Sequence, residues 1–226
     1  MTTSSVDLAE RKYLRRLLGA TDDGGNPAAV VLVGSWARGT QIESTSDLDV
    51  LVIGNANVPV PAGRIQVINR SADYLRRLVS TGDDFAQWAL RYGKPLKGRH
   101  VWAALKEELL ALAPWPGTKS KLDLARRRLK MAEDLLDMGD LDAAEEEARY
   151  ALSHLARAAL LARRVFPLSR PELSAQLEEI GDTELARALR ASLRDDPMDR
   201  PEMEAQLALF ASRLRDVPDS EVAFGT

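Results

Sequence analysis

Two prolines and a glycine fall within the five residues Ala113-Pro114-Trp115-Pro116-Gly117, and the chain changes character across them. Neither a helix nor a central strand runs through such a stretch, because proline fixes its backbone angle and lacks the N–H that the ladder needs. Before it, short runs rich in valine and isoleucine alternate with helical stretches. After it no strand-like run appears, and alanine, leucine, arginine and glutamate dominate. The pattern predicts an α+β protein of two domains. Residues 1–116 should form a small mixed β-sheet with flanking helices, and residues 117–226 an all-α helical bundle. Charge divides at the same place, +2 before the break and −5 after it.

Composition narrows the classes of function. The 226 residues hold 31 basic and 34 acidic side chains, a net charge of −3 that argues against a general polyanion binder, so nucleic acid is not an expected partner. Hydrophobic residues make up 45% of the chain, enough for a real core. With no cysteine, disulfides, thiolate metal sites and a cysteine nucleophile are excluded, and a reducing compartment fits. The stretch MTTSSVDLAERKYLRR has charges where a signal peptide needs apolar residues. No apolar run approaches the roughly 18 residues of a membrane span. We therefore expect a cytoplasmic, soluble protein with no membrane partner.

In the first half, Val6 to Leu18 reads as an amphipathic helix ending near Gly19. Strands are expected over Ala28 to Val33, Leu48 to Ile53 and Arg64 to Ile68, with a short one at Lys94 to Leu96. Helices are expected over Ala72 to Val79, Phe85 to Tyr92 and His100 to Leu112. In the second half, Ser120-Lys-Leu-Asp123 has the spacing of a capping box, and the helix it opens should stop at Gly139. Asp140 should cap the next helix, which runs to about Arg164. Ser169-Arg-Pro-Glu172 and Asp199-Arg-Pro-Glu202 repeat one start signal, a cap with proline in the first turn and an acid at the third position. Four or five helices follow, with Leu122, Leu129, Leu136, Leu152, Leu155 and Ala159 facing inward and a frayed end from Asp219 to Thr226.

The stretch that carries chemistry is Val33-Gly34-Ser35-Trp36-Ala37-Arg38-Gly39-Thr40, followed by Ser46-Asp47-Leu48-Asp49-Val50. Gly34 lets the backbone approach a ligand closely, and the free N–H groups of a helix starting near Ser35 point toward an anion. The Ser35 hydroxyl and the permanent charge of Arg38 add to a cradle for a phosphate chain. Asp47 and Asp49 project from one face of their strand, since side chains alternate along it. Two adjacent acids repel each other unless a cation lies between them, and magnesium, which prefers oxygen ligands and phosphates, is the natural candidate.

At these residues the sequence resembles the nucleotidyltransferase superfamily of the DNA polymerase β type, and within it the minimal and antibiotic-modifying nucleotidyltransferases. Ser35 and Asp47 are separated by 11 residues, and Ala37-Arg38-Gly39 and Ser46 also match the common pattern. The resemblance implies that Asp47 and Asp49 are catalytic and hold Mg2+, while Gly34, Ser35, Arg38 and Ser46 bind the nucleotide, ATP being the expected NTP. It implies transfer of NMP from the NTP to a hydroxyl of a small molecule or a protein, with release of pyrophosphate. Active relatives place a third carboxylate on a later strand. Here that strand, Arg64-Ile-Gln-Val-Ile-Asn-Arg70, contains no acid, and Gln66 or Ile68 occupies the face in question. Asp73, Asp83, Asp84 and Glu43 are the acids that could approach from elsewhere, although Asp83-Asp84 also reads as an ordinary helix start.

Residues 119–195 are similar to HEPN-type helical domains, some of which are ribonucleases using an arginine and a histidine with four to six residues between them. Arg149 and His154 satisfy that spacing, but five residues rotate about 140° around a helix, so the pair needs a symmetric partner to converge, which leaves a homodimer open. The tyrosine found two residues after the histidine in those nucleases is here Ala156. The alternatives to a transferase are thus a nucleotide-binding regulatory protein of the antitoxin-like kind, and behind it a HEPN-type ribonuclease.

Overall fold

The computed structural model describes residues 8–19, 27–41, 46–54, 63–192 and 198–221. They fall into two compact units, Met1–Pro114 and Trp115–Thr226.

In the first unit, helix α1 (Leu8–Gly19) precedes strand β1 (Ala29–Leu32), the short helix α2 (Gly34–Arg38) and strand β2 (Leu48–Ile53). Strand β3 (Ile65–Arg70), helices α3 (Ala72–Ser80) and α4 (Asp84–Tyr92), strand β4 (Lys94–Lys97) and helix α5 (Arg99–Leu112) complete it. The sheet order is β3-β2-β1-β4, with β1 antiparallel to both neighbours and β2 parallel to β3. The sheet is therefore mixed, as the sequence leads one to expect. Every residue of β2 except Asp49 is buried, so both faces of this central strand are covered, which explains its continuous apolar run. On one face Leu48, Val50, Val52, Val30 and Ile65 pack with Tyr13 and Leu17 of α1.

A charged residue ties α1 to the sheet. The buried Glu10 carboxylate accepts the Arg64 backbone N–H at 3.0 Å and lies 3.7 Å from the Arg64 Nε. Gly63, at φ +63°, fits under that side chain, where a Cβ would meet Glu10 Oε1 at 2.8 Å. Glu10 thus sets where β3 begins.

The second unit is helical. It consists of α6 (Lys119–Asp137), α7 (Leu141–Ala162), a 3₁₀ turn at Arg170–Glu172, α8 (Leu173–Glu179), α9 (Thr183–Ser192) and α10 (Arg200–Asp216). Its core contains all six residues expected to face inward: Leu122, Leu129, Leu136, Leu152, Leu155 and Ala159. The punctuation works largely as the sequence predicts. Gly139 adopts φ +83° just past α6, Asp140 accepts the Ala143 N–H, and Asp199 and Glu202 exchange the reciprocal bonds of a capping box.

Two expectations fail. Ser120 and Asp123 do not form a capping box, because α6 starts two residues earlier than that box would set it, with Thr118 at the cap position. The Thr118 hydroxyl is turned away from the helix, donating to the Pro218 carbonyl at 2.6 Å and accepting from the Ser220 N–H at 2.9 Å. Asp123 pairs with Arg126 instead. The same contacts correct the frayed end: Asp219, Ser220 and Glu221 are tied to α6 through Arg126, Thr118 and Lys119, while 222–226 lie outside the described residues. The buried hydroxyl satisfies two backbone groups of the C-terminal segment at once, where as a cap it would satisfy one. We expect Thr118→Val to lower the stability of the protein by about 2 kcal/mol in urea denaturation, and Ser120→Ala to leave it within about 0.5 kcal/mol.

Candidate active site

The candidate residues lie where β1 turns into α2 beside the start of β2. Antiparallel pairing sets Leu32 against Val50, and the Val33 N–H continues the ladder to the Asp49 carbonyl at 2.9 Å. The chain must then turn sharply to leave the sheet, and Gly34 does so at φ +70°, in the left-handed region that favours glycine. A Cβ at Gly34 would overlap Asp49 Oδ2. The glycine is required twice, by its backbone angle and by the carboxylate stacked against it. Helix α2 follows at once and closes at Gly39, φ +74°, whose N–H bonds the Ser35 carbonyl. Ser35 is half-buried, and the first N–H groups of α2 have no partner within the helix.

Asp47 and Asp49 share one face, with Asp47 exposed and Asp49 half-buried. Burial pushes the Asp49 carboxyl up to about 6, and the neighbouring negative charge of Asp47 adds to the rise. On the adjoining parallel strand, Gln66 is the register partner of Asp49, and its Nε2 donates to Asp47 Oδ2 at 2.7 Å. The choice left open between Gln66 and Ile68 is thus settled for contact: Gln66 touches the acid pair, while Ile68 pairs with Leu51 farther along. Among the described residues, no three or more of His, Cys, Asp and Glu gather where they could hold a metal. Asp73 pairs with Arg76, Asp83 caps α4 through the Ala86 N–H, and Asp84 sits in the first turn of that helix. Glu43 lies outside the described residues.

Three contacts were not visible in the sequence. The Trp36 indole N–H reaches the Ser46 carbonyl at 3.5 Å, joining the turn that carries Ser35 to the residue before the acid pair. Ser46 itself is half-buried. The Arg38 guanidinium lies 5.0 Å from the centre of the Tyr92 ring at the end of α4, a contact that helps to orient the exposed side chain. The third is the Gln66 amide on Asp47. Each joins groups ten to 54 residues apart, so local pattern carries no trace of it.

Residues 11–123 match the family described as nucleotidyltransferase domain, and residues 119–207 match the HEPN domain. The chain belongs to the nucleotidyltransferase family. A HEPN domain follows the nucleotidyltransferase domain. Among solved structures, a nucleotidyltransferase-like protein from Exiguobacterium sibiricum is 16% identical, with 92% of this chain and 74% of that chain covered at a TM-score of 0.47. Among curated proteins no sequence matches. Nucleotidyltransferase domains act on an NTP and generally use divalent metal ions. No helix among the described residues is long and apolar enough to cross a membrane.

The donor set suits such an ion. Two neighbouring carboxylates beside a turn too tight for a side chain are oxygen donors of the kind that hard divalent cations take. In the helical unit, Arg149 is paired with Glu145 at 2.8 Å, and Glu147 with Arg128 at 2.8 Å. His100 is exposed in the first turn of α5.

The raised Asp49 carboxyl has a defined sign in stability. Because its folded value of about 6 exceeds its ordinary 3.8, the folded state holds the proton more tightly, so stability falls as pH rises from about 4 through 6. The cost above that window is at most about 3 kcal/mol. In metal-free buffer, Asp49→Asn should be more stable than the parent at pH 8, with the difference vanishing near pH 4, as read by urea denaturation at both values.

Proposed function

We propose that this protein is a magnesium-dependent nucleotidyltransferase that moves NMP from an NTP, ATP in the first instance, to a hydroxyl of a small molecule or protein and releases pyrophosphate. The observation that carries this reading is the Asp49 carboxylate standing directly against the Gly34 turn, with the charge of Asp47 beside it and the N-terminal end of α2 starting at that same turn. The cation supplies charge neutralisation on the phosphates when bound.

The chain's own residues divide the remaining work. Gly34 and Ser35 offer N–H groups and a hydroxyl to the phosphate chain, and Arg38, beside the Tyr92 ring, adds a permanent charge. Ser46, fixed through its carbonyl by Trp36, sets the entry of the chain into the acid pair. Gln66 keeps one Asp47 oxygen pinned and leaves the other for the metal. A glutamine cannot take the proton of an attacking hydroxyl, so the β3 position supplies no base and the proton leaves by another route.

That last point favours one competing reading, a nucleotide-binding regulatory protein with little transferase activity. Both readings require metal-dependent NTP binding. Asp47→Ala or Asp49→Ala should weaken binding of magnesium–ATP at least about 100-fold by calorimetry, and unchanged binding would reject the assignment of these residues. The two readings part on turnover. Gln66→Glu places a proton acceptor beside the acid pair and should raise kcat by roughly 10- to 100-fold with little change in KM for ATP. If neither form transfers label to any acceptor, the regulatory reading stands.

A further inference from the structure

Strand register fixes which residues line the end of the sheet that carries the candidate site. In the order β3-β2-β1-β4, Gln66 lies on β3, Asp47 and Asp49 at the start of β2, and the Gly34 turn at the end of β1. The fourth strand reaches the same end. Lys94, its first residue, pairs in register with Leu32, two residues before Gly34. The link from α4 into β4 is pressed against β1, because a Cβ at Gly93 would meet Val31 Cγ1 at 2.8 Å. Just before that link, the Tyr92 ring centre lies 5.0 Å from the Arg38 guanidinium. Two contacts, one before the turn and one after it, thus set the segment from Tyr92 to Lys94 beside Gly34 and Ser35, on the side of β1 away from the acids.

Charge shows what that side has to supply. A divalent cation held by Asp47 and Asp49 offsets no more than those two carboxylates, and Gln66 is neutral. The negative charge of a triphosphate is then left to cations of the chain. Arg38 is one. Elsewhere in the first unit, Arg64 lies beside Glu10, Arg76 is held by Asp73 and Glu108, and Arg70 and Lys97 stand at the far ends of their strands. Lys94 is exposed at the near end and makes no ion pair among the described residues.

We infer that Lys94 binds the β- and γ-phosphates of the NTP and neutralises the pyrophosphate as it leaves, a role that rests on the transferase reading of the site. The nucleotide then lies across the strands, with its α-phosphate at β2 and its pyrophosphate end over β1 toward β4. Neighbouring strands are about 4.8 Å apart, so β2 and β4 are separated by roughly 10 Å, which a triphosphate and an extended lysine side chain span together. In the transfer the acceptor hydroxyl oxygen bonds to the α-phosphorus and the hydroxyl proton is released. The bond from that phosphorus to the oxygen bridging to the β-phosphate breaks, and its electron pair stays on the bridging oxygen. The charge that develops there lies on the Lys94 side of the turn. An ammonium on a flexible stem suits this task, since it follows a phosphate through the reaction without demanding one fixed geometry.

Calorimetry on the full-length chain in magnesium buffer distinguishes a wrong role for Lys94 from a wrong reading of the site. Lys94→Ala should weaken binding of magnesium–ATP about tenfold or more, the loss expected for one charge-assisted hydrogen bond. Inorganic tripolyphosphate, which has the phosphates without the nucleoside, should lose the same factor. Lys94→Arg keeps the charge and should bind both within about threefold of the parent. The urea midpoint of Lys94→Ala should match the parent's, because the side chain is exposed. A parent chain that binds no magnesium–ATP rejects the transferase reading and the Lys94 role with it. A parent that binds it beside a Lys94→Ala protein that binds it equally well rejects Lys94 alone. So does a loss confined to ATP, one that Lys94→Arg fails to recover, or one that comes with a lowered urea midpoint.

Discussion

A carboxylate resting on a bare backbone is the contact around which the candidate site is arranged. Asp49 Oδ2 occupies the volume a side chain at position 34 would need, and it is brought there by the antiparallel pairing of β1 with β2 and the Val33–Asp49 ladder bond. Nothing about the contact is favourable by itself. The acid is half-buried, its neighbour is another acid, and its carboxyl is held well above the usual carboxylate range. It persists because the strand that carries it is locked by the burial of Leu48, Val50, Leu51, Val52 and Ile53. The apolar run that makes β2 a central strand is therefore what allows a repulsive pair to be held in place and ready for a cation.

What could be read from the sequence follows from which forces act locally. The strand–turn–strand arrangement and the shared face of Asp47 and Asp49 depend on alternation and on a glycine turn, both written in a few adjacent letters. The caps at Asp140 and Asp199 are equally local, and the structure has them where the letters suggest. Ser120-Lys-Leu-Asp123 misled because Thr118 had a better use. A hydroxyl satisfying two backbone groups of a segment 100 residues away sets the helix start, and no window of a dozen residues reveals that competition. The clasp of Gln66 on Asp47 belongs to the same class. Its existence depends on the parallel register of β2 and β3, which pairs Asp49 with Gln66 and is decided by packing on both faces of the sheet.

The helical unit shows how an apparently featureless charged surface is organised. Much of the basic cluster on α6 is spent on nearby acids, and Arg128 and Arg170 lie 5.1 and 5.2 Å from the Tyr150 ring centre. The acids Glu145 and Glu147 are taken up in the same way.

The Glu10–Arg64 anchor bears on the order in which the site is assembled during synthesis. Strand β3 pairs in parallel with β2, so no hairpin can zip the two together, and its starting point is held by a side chain from α1, 54 residues earlier. The Gly-Ser turn and the acid pair can meet as soon as β1 and β2 have left the ribosome. Gln66 joins them only after the emerging chain reaches back to a helix made long before, closing a long loop at an entropic cost that local pairing does not carry. The clasp of Gln66 on Asp47 therefore rests on a contact spanning 54 residues of sequence, which the pairing of β1 with β2 does not need.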